Sequence, residues 1–166
     1  ELMFSYRRAR KEDVPFLIAN RLKLLQSAND LGDPQALQPV KEQLQSYYKK
    51  IETGEHIEYL AYKGLQCVGS GGICFYQVLP TYHNPTGRRA YIANMYTLPE
   101  FRKRGIASKI LDYLVKEAFQ REIEYISLEA TSSGRTVYEK YGFISLTSEM
   151  QLMNKAYDKK QNSGID

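Results

Sequence analysis

One stretch limits the folds open to this chain more than any other. Residues 90–98, Ala90-Tyr91-Ile92-Ala93-Asn94-Met95-Tyr96-Thr97-Leu98, have strand character. A basic turn follows, Phe101-Arg102-Lys103-Arg104-Gly105, and from Ile106 to about Gln120 apolar residues recur at helical spacing. Ile106, Ile110, Leu111, Leu114 and Ala118 mark one face of that helix, the face it buries. A strand that hands over to a helix through a glycine turn is suited to holding phosphate. The unpaired N–H groups of the first helical turn point outward, the helix dipole favours negative charge there, and glycine lets a ligand approach the backbone closely. Arg102, Lys103 and Arg104 add attraction at longer range.

The surrounding pattern alternates helices and strands. Met3 to Ala9 reads as a short strand. A helix then starts near Asp13, a cap or first-turn acid, with Pro15 tolerated at its start, and carries Leu17, Leu24, Leu25 and Ala28. Asn29-Asp30-Leu31-Gly32-Asp33-Pro34 breaks it. A second helix is predicted from Pro34 to Glu52, ended by Thr53-Gly54. His56 to Tyr62 and Cys67 to Val78 read as two strands around the tight turn Lys63-Gly64-Leu65-Gln66. Gly69, Gly71 and Gly72 indicate a bulge or close packing in the second of them. After a loop over residues 79–87, Arg88 to Leu98 is the strand that feeds the basic turn. Beyond the long helix come a strand over Glu124 to Ala130, a turn, a short helix over Arg135 to Lys140, and a last strand over Glu149 to Asn154. No internal repeat is visible. The expectation is one α/β (α+β) domain over residues 1–154, with a mixed, mostly antiparallel sheet flanked by helices, and a polar tail over 155–166 that frays.

Composition removes several classes of function. A net charge of +4 spread among 19 acids is too mild for a nucleic-acid surface, which needs a broad basic stripe. Cys67, Cys74, His56 and His83 are too few and too scattered for a metal site, so no metal is expected. No apolar run approaches the ~20 residues that span a bilayer, and the first residues lack the order of a secretion signal. No membrane association and a cytoplasmic location are therefore expected. The Gly-x-x-x-x-Gly-Lys-Ser/Thr pattern of nucleotide-binding loops is absent.

Two motifs resolve the remaining choice. Arg102-Lys103-Arg104-Gly105-Ile106-Ala107 matches the signature Arg/Gln-x-x-Gly-x-Gly/Ala, and Tyr138-Glu139-Lys140-Tyr141-Gly142-Phe143 ends a short helix one strand further on. In this order and context, over about Phe4 to Met153, the chain closely resembles the GNAT N-acetyltransferase superfamily. The resemblance implies that fold, with splayed central strands and acetyl-CoA as cosubstrate. The backbone from Arg102 through Lys103, Arg104, Gly105, Ile106 and Ala107 to Ser108 would bind the pyrophosphate. The strand Met95-Tyr96-Thr97 would pair with the pantetheine arm, and a backbone N–H near Met95 or Tyr96 would face the carbonyl oxygen that gains charge. Tyr138 stands where the family commonly places its general acid. An asparagine that often contacts CoA seven residues earlier is replaced here by Thr131.

The reaction implied is attack of an amine on the acetyl thioester, with a base to keep the amine neutral and an acid for the departing thiolate. Glu129, at the end of its strand, is the candidate base; Asn94 is limited to orienting a water. The acceptor expected is a small-molecule or peptide amine, and the resemblance implies a homodimer. A CoA-binding regulatory module of the same fold without turnover is the alternative.

Overall fold

The computed structural model describes residues 3–154. A five-stranded sheet runs through it in the order β1 (Ser5–Arg8), β2 (His56–Lys63), β3 (Gln66–Gln77), β4 (Arg88–Thr97) and β5 (Tyr125–Leu128). Neighbours are antiparallel except β4 and β5, which are parallel. That parallel step is made by α4 (Ile106–Gln120), which crosses over the sheet between them. The mixed, mostly antiparallel sheet flanked by helices is the one expected.

Two apolar cores lie on opposite faces of the sheet. On one face α4 buries Ile106, Ile110, Leu111, Leu114, Val115 and Ala118 against Ile57, Ala61, Val68, Ile73, Ala90 and Ile92. The sheet admits the helix closely because β3 lacks side chains beneath it. A Cβ at Gly69 would stand 2.8 Å from Ile106 Cγ2, and one at Gly71 would stand 2.7 Å from Ile110 Cγ2. On the other face Leu17 of α1 (Val14–Ala28), Tyr48, Leu60 and Ala9 form a smaller core. Asp13 does not cap α1 with its side chain; it accepts two bonds from the Arg7 guanidinium, at 2.7 and 2.8 Å, and one from the Arg10 N–H at 2.7 Å.

Two expectations need correction. The helix predicted over Pro34 to Glu52 is three pieces: a 3₁₀ turn Pro34–Leu37, α2 (Gln38–Tyr47) and α3 (Lys50–Thr53). It breaks at Tyr48, whose side chain is buried and bonded to the sheet, so a tertiary contact interrupts a continuous helical periodicity. The last strand expected over Glu149 to Asn154 is not formed. Among the described residues, 144–153 pair with no strand, and Met150 and Leu152 are 94% and 97% exposed. Their alternation imitates a strand, but a strand needs a neighbour's ladder, and none lies beside it among the described residues. The short helix is found as α5 (Arg135–Tyr141). Among the described residues no helix is long and apolar enough to cross a membrane. The tail expected over 155–166 lies outside the described residues.

Candidate active site

The site grows from a defect in β4. Along β3 the register runs from Gln77↔Arg88 to Gly72↔Ala93 and resumes at Ser70↔Tyr96 and Gly69↔Thr97. Asn94 and Met95 thus stand opposite Gly71 without ladder partners of their own, and Asn94 has φ 61°. Asparagine tolerates that left-handed conformation better than other non-glycine residues. On its other side β4 pairs with β5 only from Arg89 to Ile92. Among the described residues nothing pairs with this edge of β4 from Ala93 onward, so it is open there and the ladder between the two strands ends where the register breaks. Backbone groups on an open edge seek a partner, and an extended chain with amide groups supplies one.

The basic turn lies where β4 ends. Arg102 is turned back on the strand: its Nε donates to Thr97 O at 3.0 Å, and its guanidinium lies 5.8 Å from the centre of the Tyr96 ring. Arg104 stacks over Phe101 at 5.5 Å. Lys103 has φ 61° and Gly105, the N-cap of α4, has φ 83°. A Cβ at Gly105 would meet nothing within 4 Å, so the backbone there borders open space. The first helical bond of α4 is Lys109 N–H to Gly105 O at 3.0 Å, which leaves the N–H groups of Ile106, Ala107 and Ser108 facing outward. Ile106 buries its side chain in the core while its backbone faces this opening. No acidic residue stands in the first turn to compete for those donors.

Tyr138 sits on α5, half-buried, with its ring 6.1 Å from that of Phe143. Gly134 makes the approach possible, since a Cβ there would lie 3.1 Å from Tyr138 Cε2 and 3.2 Å from Thr131 Oγ1. Burial raises the Tyr138 pKa above the usual phenol value. Its hydroxyl has no hydrogen-bond partner among the described residues. The Thr131 hydroxyl accepts from Gly134 N–H at 3.1 Å and lies 3.2 Å from Ser133 Oγ, so it caps the turn into α5. Glu129, just past the end of β5, is exposed and makes no hydrogen bond or ion pair among the described residues. Met95, Tyr96 and Thr97 are therefore gathered with Arg102 at one end of the split, and Tyr138 with Thr131 around Gly134. Glu129 is joined to neither group.

The structure adds a group that sequence reading passed over. Glu58 of β2 is fully buried on the face covered by α1 and α2. Tyr48 Oη donates to its Oε1 at 2.6 Å, His56 Nε2 lies 3.0 Å from the same oxygen, and Asn94 Nδ2 lies 3.4 Å from Oε2. Tyr47 Oη lies 2.7 Å from His56 Nδ1. The one visible signal was an acid inside the otherwise apolar run Ile57-Glu58-Tyr59-Leu60-Ala61. A groove of about 310 Å³ between α1 and α2 is lined by Lys23, Gln26 and Lys41 among others and includes none of the predicted site residues.

Residues 24–143 match the model of the Acetyltransferase (GNAT) family. Among solved structures, a predicted acetyltransferase with acetyl-CoA from Clostridium acetobutylicum is 36% identical, with a TM-score of 0.81 over 91% of this chain and 96% of that one. A GCN5-related N-acetyltransferase from Ralstonia eutropha JMP134 is 22% identical, with a TM-score of 0.78 over 91% and 98%. An aminoglycoside N-acetyltransferase in complex with CoA is 11% identical, with a TM-score of 0.68 over 92% and 95%; at that identity the likeness is one of fold. No curated protein matches the sequence.

Proposed function

The chain belongs to the GNAT acetyltransferase family, and on that premise we propose that it transfers an acetyl group from acetyl-CoA to a primary amine of a small molecule or peptide, by direct attack with both substrates bound. One observation carries the reading: the open edge of β4 beyond Ile92 runs into the exposed first turn of α4 at Gly105. A ligand that is an extended amide chain at one end and a pyrophosphate at the other fits that sequence of surfaces. The N–H groups of Ile106, Ala107 and Ser108 would hold the pyrophosphate, with Lys103 and Arg104 beside it. Arg102 ties the turn to the strand through the bond from its Nε to Thr97 O.

Bound acetyl-CoA supplies an activated acyl thioester. At the register break, a backbone N–H of Met95 or Tyr96 would face the acyl oxygen as it gains negative charge. Tyr138, a phenol that is protonated at neutral pH and whose pKa burial raises further, would give a proton to the sulfur. The amine loses its proton to solvent or to a base.

The test is a screen of primary amines with acetyl-CoA, reading free thiol. Thiol release that depends on one class of amine, with matching acetylated product by mass, is expected. Tight binding of acetyl-CoA with no release from any amine would instead favour the regulatory module.

A further inference from the structure

On the sheet face covered by α1 and α2, a buried carboxyl group shares its face with two polar atoms that lack partners among the described residues. An ionised Glu58 with no access to water requires compensation. Among the described residues no lysine or arginine pairs with it; its partners are Tyr48, His56 and Asn94. A His56 tautomer with the proton on Nε2 donates to Glu58 and accepts from Tyr47 on Nδ1, so both contacts are met without a positive charge. The other titratable groups facing the cluster are Arg21 of α1, which acts on Tyr48, and Cys74 of β3, which acts on Tyr47. Glu58 is the carboxyl group buried in this pocket, and Arg21 is the cation that faces it from α1.

Asn94 is oriented by the Glu58 carboxyl group. A carboxylate only accepts hydrogen bonds, so the Asn94 amide turns its Nδ2 to Glu58 and its Oδ1 away. Among the described residues that oxygen is buried and has no donor, and Ser70 Oγ, in a residue only 1% exposed, is also buried without a partner. Ser70 shares the face: two residues further along β3, a Cβ at Gly72 would lie 3.0 Å from His56 Cε1 and 3.1 Å from Glu58 Cγ. Orphaned buried polar atoms are rare and call for a ligand or an ordered water. Both orphans flank the register break where β4 parts from β5.

We propose that this cluster is the acceptor-amine pole of the site, in which Asn94 Oδ1 and Ser70 Oγ take hydrogen bonds from the N–H groups of a cationic primary amine and Glu58 is the positioning residue that orients Asn94 and supplies the opposing charge. The proposal rests on the acetyl-transfer reading. Asn94 directly precedes Met95, so an amine held by it stands next to the open edge of β4. The pole takes alkylammonium groups and rejects neutral alcohols, which carry no opposing charge, and quaternary ammonium ions, which have no N–H.

Two measurements decide it. With an amine found by the thiol screen, Asn94→Gly and Glu58→Gln are compared with the unaltered chain. Glycine accepts φ 61° and so removes the amide while sparing the backbone. Each variant should raise the KM for the amine at least about tenfold, some 1.4 kcal/mol, while the KM for acetyl-CoA stays within about twofold. An unchanged amine KM in both overturns the proposal, as does a parallel rise in both KM values. Independently of turnover, the CoA-loaded protein labelled with ¹⁵N-asparagine is titrated with methylammonium chloride and with tetramethylammonium chloride. The Asn94 side-chain signals, identified by their loss in Asn94→Gly, should shift with methylammonium alone. No shift, or equal shifts with both salts, overturns the pole. A thiol screen without turnover defeats the acetyl-transfer reading and leaves the titration to decide the pole.

Discussion

The Tyr138 phenol is set between Gly134 and Phe143, and its hydroxyl has no partner among the described residues. Burial raises its pKa above the ordinary phenol value by favouring the neutral form. Tyr138→Phe removes only the hydroxyl. We expect kcat to fall about a hundredfold with the KM for acetyl-CoA nearly unchanged, measured at saturating substrates under conditions where chemistry limits the rate. An unaltered kcat would take Tyr138 out of the acid role. This residue was legible because a motif of six consecutive residues carries it. Glu58 was not, because burial is a property of what packs over a residue. Its neighbours Tyr48, His56 and Asn94 come from three separate segments of the chain.

At the scale of elements, the junction of β4 and α4 does most of the binding work. Gly105 holds φ 83° with open space where a side chain would project. Leucine there is strained by the left-handed backbone and fills the approach to the N–H groups of Ile106 to Ser108. For Gly105→Leu, calorimetry should show CoA affinity reduced at least about tenfold, while circular dichroism shows α4 intact, because its core face from Ile110 to Ala118 is untouched. Undiminished affinity would place the pyrophosphate elsewhere. The element was predictable from its local periodicity. The broken second helix was not, since its apolar spacing continues through Tyr48 and only the bond from Tyr48 to Glu58 explains the interruption.

For the molecule as a whole, the sheet is held between two cores, and the smaller is tied to the edge strand by one ion pair. Arg7 on β1 donates two bonds to Asp13 at the foot of α1, which with the Arg10 N–H holds the Asp13 carboxyl at about 2, against 3.8 ordinarily. A carboxyl whose pKa is lowered by folding stabilises the fold above its unfolded pKa, and that contribution is lost as pH falls toward the folded one. The pair is partly exposed through Arg7, so solvent screening keeps its worth to roughly 1 kcal/mol. Melting curves should show Asp13→Asn less stable than the unaltered chain at pH 6, with the difference shrinking between about pH 4 and pH 2. A difference that stays constant over that range would mean the carboxyl does not titrate with folding.

By itself the sequence determined the elements whose causes are local: the buried face of α4, the glycine turn before it, the β2–β3 hairpin, and the helix that carries Tyr138. Each depends on periodicity or on a backbone preference within a few residues. The tertiary structure alone decided the rest. It ended the pairing of β4 with β5 at Ile92, left Met150 and Leu152 without a strand to pair with among the described residues, and closed Glu58, His56, Tyr48 and Asn94 into one network. Strand pairing and burial belong to the way distant segments meet, and that meeting is set by the packing of both cores at once.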